Sequence, residues 1–144
     1  MYSIRPAEVK DIEAICSFDH LAQQSGQRRA FIERTVKAGN CFVIEAEQQV
    51  VGYAVLEYTF YEQGFVSMLY MHPDHRRQGG GSTMMRYLES ICRTPKLFTS
   101  TNLSNLPMQS LLAKLGYKLC GVIHHLDEGD PELVYVKFLR QGAS

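Results

Sequence analysis

The sequence predicts an α/β fold of the α+β kind, a mixed, mostly antiparallel sheet flanked by helices. Three observations lead there. Strand-like and helix-like segments follow one another in the order β-α-α-β-β-β-α-β-α-β-β along 144 residues. Consecutive strand-like segments are joined by short polar turns, the mark of antiparallel hairpins. The 45% of apolar residues in a chain of this length supplies one core, so residues 1–144 read as a single domain.

Each element has a local reason. "YSIRPA" alternates and stops at Pro6, a short first strand. "DIEAICSFDHL" puts Ile12, Ile15 and Leu21 on one helical face, with Asp11 placed to cap it. "QRRAFIERTVKAG" is a second amphipathic helix that Gly39 ends. "NCFVIEAE" and "VVGYAVLEYTF" form a hairpin around the polar turn at Gln48 and Gln49. After the turn "YEQG" comes the apolar strand "FVSMLYMHP", closed by Pro73. Helical periodicity resumes at the glycines, where Met84, Met85, Leu88, Ile91 and Cys92 share one side. "KLFTST" is another strand, and "SNLPMQSLLAKLG" a helix with Ser104 or Asn105 at its cap, Pro107 in its first turn and Gly116 at its end. "YKLCGVIHHL" and "ELVYVKFL" are the last two strands, around the acidic loop "DEGDP".

Composition removes several functions. Fifteen basic residues balance fifteen acidic ones, so the chain lacks the basic field that non-specific nucleic-acid binding needs. No apolar run approaches the ~18 residues of a membrane span. The start "MYSIRPAEVK" lacks the apolar centre of a signal peptide. Cys16, Cys41, Cys92 and Cys120 are widely spaced, without a CxxC pair or a Cys/His clip. They read as buried free thiols rather than disulfides or metal ligands. The expectation is a soluble, cytoplasmic protein without a metal.

The stretch "HPDHRRQGGGS", residues 72 to 82, carries the chemistry. A Walker loop would need Lys-Ser/Thr after its last glycine, and none follows. A dinucleotide fingerprint would need a third glycine where Met84 stands, and an acidic end to the next strand. What remains is a strand, a short loop and a helix start whose first N–H groups lack partners and bind anions. Glycines let that backbone approach a diphosphate closely, and Arg76 and Arg77 add positive charge. The competing reading is a flexible turn.

The same residues resemble the signature of the GCN5-related N-acetyltransferase (GNAT) superfamily, Arg/Gln-x-x-Gly-x-Gly/Ala, here Arg76-Arg77-Gln78-Gly79-Gly80-Gly81. "MLYMHPDH" resembles the family's central strand and its exit, "SNLPMQSLLAKLGY" its following helix, and "IRPAEVKDI" its opening. The resemblance covers essentially the whole chain and implies a GNAT-like acyltransferase fold.

It implies that the amides of Arg77, Gln78, Gly79, Gly80, Gly81 and Ser82 grip the pyrophosphate of acetyl-coenzyme A. The pantetheine arm would pair with the backbone of Leu69, Tyr70 and Met71, the Met71 amide polarising the thioester carbonyl. Asn105 matches a residue that contacts that arm, or it is a plain helix cap. An acceptor amine would attack the thioester directly, so a base must deprotonate an ammonium and an acid reprotonate a thiolate. Many relatives carry the acid Tyr where Leu112 stands, and some a carboxylate base where Ser100 stands. Tyr58, Tyr61, Ser100 or a water would then serve as acid, while Tyr117 reads as core. The base candidates are Glu57, the first choice, Glu62 and His72.

The acceptor is a small-molecule or peptide amine. Asp127, Glu128, Asp130 and Glu132 would draw a cation. Arg28 and Arg29 point toward an anionic group instead, unless they are an exposed helix face. Tyr53, Tyr58, Phe60 and Tyr61 would wall a pocket, unless they face a core. A homodimer through the last strands is a further expectation of the resemblance. Two other readings stand beside the enzyme: a catalytically idle acetyl-coenzyme A-binding module, and a phosphate-binding protein using Arg76 and Arg77 on nucleotides or nucleic acid.

Overall fold

The computed structural model describes residues 1–139. Its seven strands are β1 (Tyr2–Pro6), β2 (Cys41–Ala46), β3 (Gln49–Phe60), β4 (Gln63–Met71), β5 (Lys96–Asn102), β6 (Lys118–Ile123) and β7 (Glu132–Phe138). They are hydrogen-bonded in the order β1-β2-β3-β4-β5-β7-β6. Only β4 and β5 are parallel in the registers described; β1-β2, β2-β3, β5-β7 and β6-β7 are antiparallel. The helices are α1 (Ile12–Phe18), α2 (His20–Gln24), α3 (Gly26–Lys37), α4 (Gly80–Ile91) and α5 (Leu106–Lys114). The mixed, mostly antiparallel sheet with helices is the fold class that the sequence predicts. No helix among the described residues is long and apolar enough to cross a membrane.

The chain forms two compact units, one of Met1–Leu56 with Met68–Leu88, the other of Glu57–Ser67 with the residues from Glu89 onward. In the first, Ile12, Ile15 and Phe18 of α1 and Ile32 and Val36 of α3 bury themselves with Val43, Tyr53 and Val55 of the sheet. Each such side chain contributes about 1.5–3 kcal/mol by leaving water. Met84, Met85 and Leu88 of α4 are fully buried as well.

The expected helix over "DIEAICSFDHL" is in fact two. Asp19 is extended, with φ −83° and ψ 100°, and its carboxylate accepts from the N–H groups of Leu21 and Ala22 to start α2. Arg28 and the Tyr53 hydroxyl donate to the same carboxylate. Those distant partners reward a break that periodicity alone does not show. Leu21, expected on the buried face, is therefore 47% exposed. Asp11 does not cap α1 with its side chain. Its carboxylate instead accepts from both terminal nitrogens of Arg5 and from the Glu8 N–H.

In the second unit, β5 and β7 pair over seven residues, from Lys96↔Phe138 to Asn102↔Glu132. Tyr117 belongs to the core, as expected. Its ring is buried, and its hydroxyl donates to Glu89 at 2.8 Å. Burial and that carboxylate push the phenol's pKa well up. Glu89 also takes Lys137 Nζ at 3.0 Å. β6 ends the strand order, and Leu119, Val122 and Ile123 are exposed on it. Cys120 lies on this edge and is exposed too, which corrects the expectation of four buried thiols. Cys16, Cys41 and Cys92 are buried and free, and burial pushes the Cys41 thiol up to about 12.

Both tight hairpin turns lack glycine. Glu47 and Gln48 join β2 to β3 with φ of 52° and 67°, one residue before the expected turn. Tyr61 and Glu62 join β3 to β4 with φ of 52° and 63°. Left-handed conformations at both central residues match the twist of paired strands, at a cost of roughly 1–2 kcal/mol for each side chain.

Candidate active site

The end of β4 presents its backbone in two directions. The His72 N–H donates to the Val51 carbonyl of β3 at 2.7 Å. The Tyr70 carbonyl also faces β3, lying 3.0 Å from where a Cβ on Gly52 would stand. Because successive residues of a strand alternate, the N–H and C=O of Met71 point the other way. The Met71 carbonyl confirms it, accepting from Arg76 Nε at 3.1 Å. Leu69 shares that direction by the same alternation. The parallel ladder to β5 covers Gly64–Val66 and Leu97–Thr99, so Leu69–Met71 lie beyond it. The Met71 N–H is thus a main-chain donor aimed away from its strand partner.

The loop that follows divides its work. Pro73–His75 form a short 3-10 turn, and His72 Nδ1 accepts from the Asp74 N–H at 3.0 Å to begin it. The His72 ring lies 5.4 Å from Phe18 and 5.5 Å from His75, so this base candidate is only partly at the surface. Arg76 is turned back onto Met71 and lies 5.2 Å from the centre of the Tyr70 ring. Of the two arginines expected to offer charge, Arg77 is the one with no such contact described. It is exposed, at a left-handed φ of 63°.

The three glycines are not equivalent. Gly79 has φ 87°, and a Cβ there would meet nothing within 4 Å. Its carbonyl accepts from the Thr83 N–H at 3.0 Å, which makes it the cap of α4. The N–H groups of Gly80, Gly81 and Ser82 then open the helix without a carbonyl one turn back. Gly80 is buried, and a Cβ on it would stand 2.4 Å from Met71 Cε. A Cβ on Gly52 would stand 2.5 Å from Met71 Sδ. Two glycines therefore make the seat for one methionine, which locks the strand end to the helix start. The left-handed residues Arg77 and Gly79 flank Gln78 immediately before the open start of α4.

The buried network beside α1 and α2 was not legible in the sequence. Asp19 is fully buried, 2.8 Å from Arg28 Nη1, and Tyr53 is fully buried above it. Burial, then the Asp19 carboxylate, push the Tyr53 phenol's pKa well up. Arg28 therefore faces an internal carboxylate, and Arg29 pairs with Glu13 and Glu33. Tyr53 is core, while Tyr61 is 84% exposed in its turn.

The catalytic candidates lie in the second unit. Glu57 and Tyr58 are neighbours on β3 and diverge. Glu57 Oε1 accepts from the Ser67 hydroxyl at 3.0 Å, whereas the Tyr58 oxygen accepts from the Arg93 N–H at 3.2 Å. The Arg93 guanidinium lies 4.0 Å from the centre of the Tyr58 ring. Ser100 donates to Glu132 Oε2 at 2.6 Å. Phe65 pairs with Phe98, and Ser67 and Ser100 each follow two residues later on the same face. Glu57 and Ser100 thus share a face with Ser67 and Glu132, and Tyr58 does not. Sequence reasoning placed Glu132 at the start of the last strand and among the acids that would draw a cation; a spacing of 32 residues gives no sign of its bond to Ser100.

The remaining expected residues lie elsewhere in the second unit. Leu112 is fully buried. Asn105 caps α5, its Oδ1 accepting from the Met108 N–H at 3.2 Å, while Ser104 donates to Asp130 instead. Asp127 accepts from Asn102 at 2.9 Å. Glu62 lies in the β3–β4 turn. No group of three or more potential metal ligands occurs among the described residues.

Known proteins share this fold. The sequence model of the Acetyltransferase (GNAT) family matches residues 7–117. An N-alpha-acetyltransferase of Sulfurisphaera tokodaii is 26% identical over 141 residues, covering 86% of this chain and 84% of the relative. A GNAT-family acetyltransferase of Bacillus cereus superposes with a TM-score of 0.89 at 29% identity, covering 96% of this chain and 97% of the other. The structure of yncA from Salmonella typhimurium with its cofactor acetyl-CoA superposes with a TM-score of 0.79 at 19% identity, covering 99% and 96%. A model match over most of the chain, on a sheet and glycine loop of this kind, makes the chain a member of the GNAT family of acetyltransferases.

Proposed function

We propose that the protein transfers the acetyl group of acetyl-coenzyme A to an amine, and that the acceptor is the α-amino group of a polypeptide. The reading rests on one observation above all. A main-chain donor at Met71 points away from β3, at the head of the loop whose left-handed Arg77 and Gly79 lead into the open start of α4. Those groups fit the two parts of acetyl-coenzyme A that need holding, a thioester carbonyl and a pyrophosphate. The backbone of Leu69 and Met71 would bind the arm, whereas Tyr70, expected to share in it, turns its carbonyl to β3; Arg77 with the amides of Gln78, Gly79, Gly80, Gly81 and Ser82 would hold the diphosphate. Asn105 would contact the arm through whatever capacity its cap leaves. The open space at Gly79 supports the fit, since a side chain there would occupy it.

When bound, acetyl-coenzyme A supplies an activated acyl group. The protein's own residues manage charge and protons. The Met71 N–H would donate to the carbonyl oxygen as negative charge gathers there. Glu57 would take the proton that the acceptor ammonium must lose, and Ser100, joined to Glu132, would relay a proton on the same face. Tyr58, turned to the other face where its oxygen accepts from the Arg93 N–H, stands apart from this relay. The α-amino acceptor follows the S. tokodaii relative, whose match spans most of both chains.

One observation favours the second reading, an idle acetyl-coenzyme A-binding module. The position of the usual acid is Leu112, and it is fully buried. Calorimetric titration with acetyl-coenzyme A, using ATP and NAD as controls, tests the cofactor. Release of free coenzyme A in the presence of a mixed peptide library then separates the readings. Binding with release supports the enzyme, and binding without release supports the module. No binding of acetyl-coenzyme A overturns both.

A further inference from the structure

The loop's geometry depends on a residue far from it in sequence. Tyr2 is the first residue of β1, fixed by a five-residue ladder to β2 that begins at Tyr2↔Ala46. Its hydroxyl donates to the Gln78 carbonyl at 3.2 Å. Its ring Cζ lies 3.5 Å from the position of a Cβ on Gly80, so the ring also packs on the start of α4. The peptide joining Gln78 to Gly79 is planar and trans, as every described bond in the chain is. In a trans peptide the C=O and the N–H point in opposite directions. Drawing the Gln78 oxygen toward Tyr2 therefore drives the Gly79 N–H to the far side, away from β1. That plane turns through ψ of Gln78 and φ of Gly79, and Gly79, left-handed at φ 87°, has the backbone freedom to let it flip.

We propose that Tyr2 is a positioning residue for the cofactor loop: its hydroxyl holds the Gln78–Gly79 peptide in the orientation that offers the Gly79 amide to the pyrophosphate of acetyl-coenzyme A. The inference rests on the cofactor reading given above. Tyr2 touches no reacting atom. It acts before the ligand arrives, by removing a competing peptide orientation, so its contribution appears as affinity rather than as chemistry.

The test compares wild type, Tyr2→Phe and Tyr2→Ala by calorimetric titration with acetyl-coenzyme A, alongside thermal melting. Tyr2→Phe keeps the ring on Gly80 and removes only the hydroxyl. Loss of that one hydrogen bond is expected to weaken binding about 5- to 10-fold while the melting temperature stays within about 2 °C. Tyr2→Ala is expected to weaken it at least as much. Amide NMR of the ligand-free proteins gives a second readout. In Tyr2→Phe the Gly79 resonance is expected to shift or broaden more than those of α4. Unchanged affinity in Tyr2→Phe with loss only in Tyr2→Ala would assign the effect to ring packing and overturn the proposal. So would equal affinity in all three. A wild type that binds no acetyl-coenzyme A would overturn the cofactor reading itself and this inference with it.

Discussion

The cofactor loop and the catalytic candidates solve different problems with different parts of the chain. From Met71 to Ser82 the groups proposed to bind are main-chain amides, with side chains placed to aim them. Met71 fills the seat made by Gly52 and Gly80, Arg76 holds the Met71 carbonyl, and Tyr2 holds that of Gln78. At Glu57, Tyr58 and Ser100 the useful groups are the side chains themselves, and each is already hydrogen-bonded to a neighbour. Binding a diphosphate needs a fixed array of donors, which a backbone supplies whatever its side chains are. Moving a proton needs one group whose partners leave it free to change state.

Variants can break this contrast. The largest effect is expected from Glu57→Gln, which should lower turnover about 10²- to 10⁴-fold while acetyl-coenzyme A affinity stays within twofold. Steady-state rates and titration on one preparation check it, and an unchanged rate would remove Glu57 as the base. Gly79→Val should do the reverse, weakening acetyl-coenzyme A roughly 100-fold by putting a branched side chain in the open space of the loop. Its fold should survive at a cost of about 1–2 kcal/mol for the left-handed φ. Full affinity in a folded variant would sink the cradle.

Two smaller effects sharpen the comparison. Leu112→Tyr restores the residue type that many relatives use as an acid, but at a fully buried position. Overpacking should cost about 1–3 kcal/mol, visible as a lower melting temperature, without a gain in turnover. A clear gain would mean that the phenol reaches the reacting groups after all. Asp11 is a control with a structural duty alone. The hydrogen bond from Arg5 holds its carboxyl below the usual carboxylate range despite burial. Such a group stabilises the fold at every pH above its unfolded value, near 4, and the contribution is lost as pH falls through the lower folded value. Asp11→Asn should cost about 1.5 kcal/mol at neutral pH and flatten the acid limb of a pH–stability curve, leaving acetyl-coenzyme A affinity unchanged. A variant as acid-sensitive as wild type would show that other carboxylates dominate that limb.

Most element positions were legible because they follow from local rules. Alternation, helical periodicity, Gly39 and Gly116 after their helices, and Pro73 after β4 need no knowledge of the rest of the chain. The break at Asp19 was not legible, since an aspartate inside an amphipathic pattern signals nothing until Arg28 and Tyr53 arrive from elsewhere. Exposure of Cys120 was equally hidden, because an apolar run does not say which strand will end the sheet. The three glycines were legible as a group but not one by one. Only the seat of Met71 separates a packing glycine at Gly80 from a conformational one at Gly79.

By itself the sequence determined the fold class, the family and the place of the glycine loop. Each of these rests on short-range patterns of residue type, which local backbone sterics read directly. Tertiary structure alone decided which groups remain for chemistry. The pairing of Ser100 with Glu132, the divergence of Glu57 from Tyr58, the burial of Leu112 and the reach of Tyr2 to Gln78 join residues that no sequence spacing relates. A hydrogen bond depends on a few tenths of an ångström and on direction, and those are set only when the strands are in register.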